Sequence, residues 1–230
     1  MLDETLIFVD GENLTLRYQE MIRDGKTPAP GNVHIRDCFI WNQKVLDDNL
    51  WNLKRISYYT SVTGSDDKVR QVREEIAAVK FNCRTGHVSG PLSTGFTTRT
   101  GQIVPFVRKK SARTRKESIC DIAITVDVMR ACYRDHAKII WLFSGDGDFM
   151  TLLNEVVHNG KSAYVAALSS GLNPDVQFAV DEFTLLDKYF FVPEASSPKA
   201  EAANEPAQVV PRPTEAATVT SGREVDLPDA

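Results

Sequence analysis

At 230 residues, with 42% hydrophobic and 25% charged residues, the chain is long and apolar enough to bury one sizeable core. It has no run of eighteen apolar residues and no charged-then-apolar leader, and its four cysteines form no C-x-x-C pair, so the expectation is a soluble cytoplasmic protein with reduced thiols, not a membrane span or a disulfide scaffold. The formal net charge of −4 belongs to the tail, since residues 193–230 hold seven acids against three bases and leave the first 192 residues neutral and open to an anionic partner.

In chain order, Leu6-Ile-Phe-Val9 has the length of a buried strand and ends in Asp10-Gly-Glu-Asn13, ahead of a helix through Leu14, Leu16, Tyr18 and Met21. A Pro/Gly loop follows from Lys26 to Asn32, and Val33 to Val45 reads as a short irregular or helical piece around Phe39, Ile40 and Trp41. Leu53 to Val62 alternates as a strand, and Ser65-Asp66-Asp67 caps an amphipathic helix through Val69, Val72, Ile76 and Val79. From Cys83 to Val107 the chain gains Gly, Thr and Ser, which predicts a β-hairpin or a long loop. Next comes Arg108-Lys-Lys-Ser-Ala-Arg-Thr-Arg-Lys116, six bases in nine residues.

A helix from about Ser118 carries Ile119, Ile122, Val126, Met129 and Tyr133 as one apolar stripe, widened by Ala123, Ile124, Val128 and Ala131. That surface predicts burial against a sheet, with Asp121 and Asp127 riding on the same helix. Ile139 to Phe143 is a five-residue buried strand, Ser144 to Asp148 its terminal turn, and Phe149 to Asn159 a helix closed by Gly160 in the left-handed cap position. Ala163 to Leu168 reads as a strand, Asn173-Pro174 opens a short helix, and Phe183 to Leu186 is the last ordered apolar run. Strands alternating with helices predict a three-layer α/β/α fold with a mostly parallel central sheet over residues 1–190. Residues 191–230, acidic and rich in Pro, Ala and Glu without periodicity, are expected to form a disordered tail.

The chemistry lies at the strand ends. If the Leu6 and Ile139 strands are parallel neighbours, Asp10 and Asp146 converge at the carboxyl edge of the sheet, where open α/β folds bind ligands. Carboxylates gathered there repel unless a cation neutralises them, and Mg²⁺ or Mn²⁺ suits hard oxygen ligands. Two such ions about 4 Å apart activate a water and stabilise the leaving oxygen of a phosphodiester, so a metal-dependent nuclease is the hypothesis. The basic run, with Arg108, Lys109, Lys110, Arg113, Arg115 and Lys116, is the natural phosphate-binding element.

Each assignment has a plainer competitor. Ser118 and Asp121 fit a capping box; Asp127 can pair with Arg130 or Arg134; Glu12 suits the positive end of the first helix; and Asn13 suits its cap. The basic run also fits a solvated loop, while Tyr58 and Tyr59 fit either base stacking or core packing. Gly160-Lys161-Ser162 lacks the first glycine of a phosphate loop, where Glu155 stands, and Gly145-Asp-Gly147 lacks the third glycine of a dinucleotide fingerprint. No Gly-x-Ser-x-Gly elbow exists, and the histidines at 34, 87, 136 and 158 have no metal spacing.

Taken together, Val9-Asp10-Gly-Glu-Asn13-Leu14, Asp121-Ile-Ala-Ile-Thr-Val-Asp127, Ser144-Gly-Asp-Gly-Asp-Phe149 and Gly160-Lys161 resemble the NYN domain of the PIN-like ribonuclease superfamily, in its LabA-like branch, over roughly residues 5–187. The resemblance implies an α/β/α fold with an acidic Mg²⁺- or Mn²⁺-dependent site that acts on RNA, most simply single-stranded. By position it makes Asp10, Asn13, Asp121, Asp146 and Asp148 catalytic, with the four aspartates as metal ligands and Asn13 orienting a metal-bound water or phosphate. Asp127, about 120° around an ideal helix from Asp121, would support from behind, as would Glu12. The approach Lys116-Glu-Ser-Ile-Cys-Asp121 departs from the family's Lys-Gly-Val-Asp style, which shifts the lysine. The alternatives are a non-catalytic RNA- or protein-binding regulatory module of the same fold, and a hydrolase of small phosphate esters. No membrane partner is expected, and a homo-oligomer is left open.

Overall fold

The structure is a computed structural model that describes residues 3–47, 52–88, 94–110 and 119–193. Of the tail expected over residues 191–230, Phe191 is buried in the core and bridges Pro28, so the fold extends past residue 190; residues 194–230 and the cap residue Ser118 lie outside the described residues. In chain order the elements are β1 (Glu4–Asp10), α1 (Gly11–Arg23), β2 (Asn32–Ile35), β3 (Phe39–Asn42), α2 (Lys44–Asp47), β4 (Asn52–Thr63), α3 (Asp66–Ala78), β5 (Lys80–Val88) and β6 (Thr94–Lys110). They continue with α4 (Ile119–Tyr133), β7 (Ile139–Phe143), a 3₁₀ turn (Gly147–Phe149), α5 (Met150–His158), β8 (Ser162–Ala167), a second 3₁₀ turn (Pro174–Phe178), β9 (Glu182–Leu185) and α6 (Asp187–Phe190).

Successive side chains of a strand point to opposite faces, and β1 uses this to serve two cores at once. Ile7 and Val9 join Leu14, Tyr18 and Met21 of α1 and Val69, Val72 and Ile76 of α3 on one face. Leu6 and Phe8 join Cys120, Ile124 and Val128 of α4 and Leu152, Leu153 and Val156 of α5 on the other. The result is the expected three-layer arrangement, with a sheet ordered β5-β6-β4-β1-β7-β8-β9. Every pairing in it is parallel except β5 with β6. Among the described residues, no helix is long and apolar enough to cross a membrane.

Three local expectations change. The segment Val33 to Val45 forms a two-stranded hairpin, β2 with β3, followed by the short α2. Its Phe39-Ile40-Trp41-Asn42 strand is buried at every position, which hid the period-two signal, and Asp37 turns the chain in the left-handed region at φ 62°. Of the two readings for Cys83 to Val107, the hairpin holds: β5 and β6 pair antiparallel, and the second half of the long β6 pairs parallel with β4.

The buried face of α4 holds part of the predicted stripe, Ile124, Val128 and Ala131, with Ala123 and Met129 packed partly buried beside them. Cys120, Ile124, Val128, Ala131 and Cys132 pack on the sheet, whereas Ile122 is 62% and Tyr133 70% exposed, with Ile119 and Val126 also on the open side. A helix that is apolar around most of its circumference gives periodicity no face to select. Packing against the sheet buries the face that carries Cys120, Ile124, Val128, Ala131 and Cys132.

Candidate active-site cleft

β1 and β7 are adjacent and parallel, with Val9 opposite Phe143, so the segments following both strands emerge at one edge of the sheet. From β1 the chain builds β4 and β6 to one side and then returns to build β7, β8 and β9 on the other. The β1/β7 junction is therefore the topological switch point, the place where open α/β sheets leave a crevice. A cleft of about 480 Å³ opens there, lined by Asp10, Glu12, Asn13, Asp121 and Asp146 and by the cations Arg17, Arg36, Lys68 and Lys110.

Asp10 ends β1 and is 3% exposed. It serves as the N-cap of α1, accepting from the Asn13 backbone N–H at 3.1 Å, and its other oxygen accepts from the Ser144 hydroxyl at 2.9 Å. Burial pushes its pKa up to about 7; the two hydrogen bonds oppose that shift, and the nearby Asp121 and Glu12 charges add to it. Asn13 itself is not the cap of α1, since Asp10 holds that position. Ser144, just past β7, also accepts from the Asp146 backbone N–H at 3.2 Å, so one buried hydroxyl joins the two strand-end aspartates. The sequence reading passed over Ser144 as a turn residue. Its signal was a hydroxyl directly after an apolar strand and two residues before the acid.

The remaining predicted residues divide. Asp121, in the first turn of α4, reaches the cleft. Glu12 also lines it, accepting from the Ser61 hydroxyl and lying 3.8 Å from the Lys110 ammonium. Asp148 does not join them: Asp146 caps the 3₁₀ turn by accepting from the Asp148 N–H at 3.0 Å, and that turn carries the Asp148 side chain out to solvent. Asp127 is engaged away from the cleft by the Tyr59 hydroxyl at 2.8 Å and by Arg130. Tyr58 and Tyr59 are fully buried, so both serve the core and neither forms an open stacking platform.

The basic run begins as strand, not loop. Arg108, Lys109 and Lys110 pair with Ser61, Val62 and Thr63 of β4, and strand alternation puts Lys109 on the opposite face from Arg108 and Lys110. Lys110 lines the cleft, Lys109 pairs with Asp66 at 2.8 Å on the α3 side, and Arg108 is exposed. Arg113, Arg115 and Lys116 lie outside the described residues. Arg17, Arg36 and Lys68, which reach the cleft from α1, the β2–β3 turn and the start of α3, were missed because they stand far apart along the chain.

Carboxylate, hydroxyl and amide oxygens form a donor set of the type that suits a hard divalent cation. Among the described residues, however, no three His, Cys, Asp or Glu side chains are gathered as a ready metal-binding group. Both Asp10 oxygens are already engaged by internal donors. The fit is therefore one of donor chemistry, with side chains that must rotate to converge. Ser144→Ala removes the donor that holds Asp10 and is expected to lower any metal-dependent activity of the cleft by about 10–100-fold, the usual cost of losing an outer-shell partner. Activity equal to wild type in a steady-state assay counts against that role.

A family model, the NYN domain, matches residues 4–187. The match does not distinguish the LabA-like branch from others. No curated protein matches the chain. Among solved structures, a protein of unknown function, VPA0982 from Vibrio parahaemolyticus RIMD 2210633, is similar at a TM-score of 0.52 and 18% identity. The likeness covers 83% of this chain and 97% of that one, and at this identity it speaks for the fold alone.

Proposed function

The chain belongs to the NYN domain family, and from that premise we propose that it is a metal-dependent ribonuclease hydrolysing phosphodiester bonds of single-stranded RNA. NYN domains are typically nucleases of PIN-like fold. One observation carries the reading for this chain: Asp10 and Asp146, at the ends of adjacent parallel strands and joined through Ser144, share a cleft with Asp121. An N-cap needs no second or third acid, so a buried carboxylate whose pKa burial raises to about 7, with further acids lining the same cleft, has a clear use toward a cation.

Asp10, Asp121 and Asp146 would hold Mg²⁺ or Mn²⁺. When bound, such an ion supplies an activated water and stabilises the leaving oxygen of the phosphodiester. The chain's own residues do the positioning. Ser144 fixes the Asp10 carboxylate and the Asp146 backbone together, and Asn13 lines the cleft beside Asp10, where its amide suits a phosphate oxygen. Lys110 restrains Glu12 at the rim and adds positive charge where the scissile phosphate would lie. The four cysteines are free, buried thiols, which suits the reducing cytoplasm as the site of action.

The test is cleavage of an end-labelled single-stranded RNA by the full chain with Mn²⁺, Mg²⁺ or EDTA, alongside Asp146→Asn. Metal-dependent cleavage is expected, reduced more than about 100-fold in the variant, since a direct ligand should matter more than an outer-shell one. Far-ultraviolet circular dichroism should match wild type. Binding without cleavage under every metal condition would replace this reading with a regulatory module of the same fold, a result that the ungathered carboxylates would then explain.

A further inference from the structure

The cleft has an acidic floor, but the cations around it are arranged more like a track than like counter-ions for that floor. Arg17 is the most firmly placed. Its Nη1 donates to Glu20 at 2.9 Å, and the same Glu20 oxygen accepts from the Ser170 hydroxyl at 2.9 Å, which ties α1 to the segment after β8. Glu20 is kept ionised by these contacts, the Arg17 hydrogen bond first. The guanidinium lies against Gly171, which has φ +66° and where any Cβ would overlap it. Its Nε is buried without a hydrogen-bond partner. A planar cation clamped in this way has lost its rotamer freedom before any ligand arrives, so little entropy is left to lose on binding.

Arg36 and Lys68 continue the rim from two other elements. Arg36, 90% exposed, lies 3.7 Å from Asp37, and Lys68 donates to the Thr63 carbonyl at 3.3 Å. Three cations from α1, the β2–β3 turn and α3 thus line the same cleft as Asp10 and Asp146.

We propose that Arg17, Arg36 and Lys68 form a binding track for the phosphates of the RNA strand next to the scissile one, with Arg17 as its fixed anchor. The inference rests on the ribonuclease reading above and adds to it the path of the strand. On this path the polynucleotide crosses α1 and the β2–β3 turn, and Lys109, turned to Asp66 on the other face of β6, lies to one side. Arg17 takes a phosphate through the terminal guanidinium nitrogens, since its Nε is buried, and a lysine ammonium does not reproduce that planar donor set. Arg36 and Lys68 act as screened charges, which makes binding salt-dependent.

The experiment measures fluorescence-anisotropy titration of a labelled single-stranded RNA oligonucleotide over a series of salt concentrations. It uses the full chain carrying Asp146→Asn, in EDTA, so that no cleavage intervenes. Into that background go Arg17→Gln, Arg17→Lys, Lys68→Gln, the pair Arg17→Gln with Lys68→Gln, and Arg70→Gln, an exposed cation of α3 whose contact is Asp67. Arg17→Gln is expected to weaken binding about tenfold, as loss of one charge-assisted contact does, and Arg17→Lys to restore only part of it. The pair should lower the slope of log K against log salt by roughly 1.4, about 0.7 for each phosphate released. Arg70→Gln should leave both unchanged. If Arg17→Gln and Lys68→Gln bind as their parent does, or Arg70→Gln loses as much as they do, the track is wrong while the ribonuclease reading stands. If the parent itself shows no salt-sensitive binding and the wild type no cleavage, both fall together.

Discussion

Replacing Asp10 by Asn is expected to stabilise the metal-free protein at pH 8 while abolishing cleavage. The Asp10 carboxyl is held near pKa 7, against 3.8 for an unperturbed group. Well below pH 3.8 it is protonated in both the folded and the unfolded chain and costs nothing. Between those two values the unfolded chain releases the proton and the folded chain keeps it, so stability falls as pH rises. Above about pH 7 the folded chain ionises too, and the whole penalty, roughly 4 kcal/mol for a shift of this size, is in place.

Asparagine carries no charge to bury and is as good an N-cap as aspartate. Its amide oxygen keeps the Asn13 hydrogen bond, and its amide nitrogen faces a Ser144 hydroxyl that can rotate to accept. Urea unfolding in EDTA at pH 5 and pH 8 checks this. The advantage of the variant over wild type should be about 2 kcal/mol at pH 5 and about 4 kcal/mol at pH 8, with RNA cleavage down more than about 100-fold. An advantage that does not change with pH would show that Asp10 is not the buried charge described here.

Gly11→Ala is expected to unfold the protein or nearly so. A Cβ on Gly11 would overlap the Tyr58 ring and lie 2.6 Å from the Tyr59 carbonyl oxygen. Neither neighbour can yield. Tyr58 is fully buried, bonded to Thr15 and the Ile40 N–H, and packed on Phe39 at 4.7 Å between ring centroids. The Tyr59 carbonyl belongs to β4, which is paired directly with β1 at Asp10. Overpacking usually costs about 1–3 kcal/mol. With a backbone atom on one side and a fixed ring on the other, the cost should exceed that range and consume much of a small domain's stability. A chemical denaturation midpoint within error of wild type would disprove the close packing of α1 on β4.

The two predictions meet at one turn. The residue that must lack a side chain and the residue that must bury a carboxylate are neighbours, Asp10 and Gly11, because α1 starts within a single peptide of the sheet edge. The cap places Asp10 over the cleft, and the glycine lets the helix sit low enough for Asn13 and Arg17 to line the same opening.

Much of this was legible in the residues alone. Apolar runs of strand length at Leu6 to Val9 and Ile139 to Phe143, each ending in an acid beside glycine, announced parallel strands with chemistry at their carboxyl ends. Helix signals were equally local: Ser65 caps α3 by accepting from the Lys68 N–H, and Gly160 takes the left-handed conformation after α5. These features depend on neighbours within a few residues, and the chain sequence records such neighbours directly.

What tertiary structure alone decided depends on residues distant in the chain. The apolar girdle of α4 offered two faces, and only the shape of the sheet selected Cys120, Ile124 and Val128 over Ile122 and Val126. Asp148 looked equivalent to Asp146 until a 3₁₀ turn sent the two side chains apart. The basic run at 108–110 was divided by strand alternation, while Arg17, Arg36 and Lys68, scattered over fifty residues, were brought to one rim. Local sequence sets which conformations each segment can adopt, because sterics and hydrogen bonding act over one or two turns of chain. Which side chains meet is set by how the layers pack, and that depends on shapes and distances that no single segment carries.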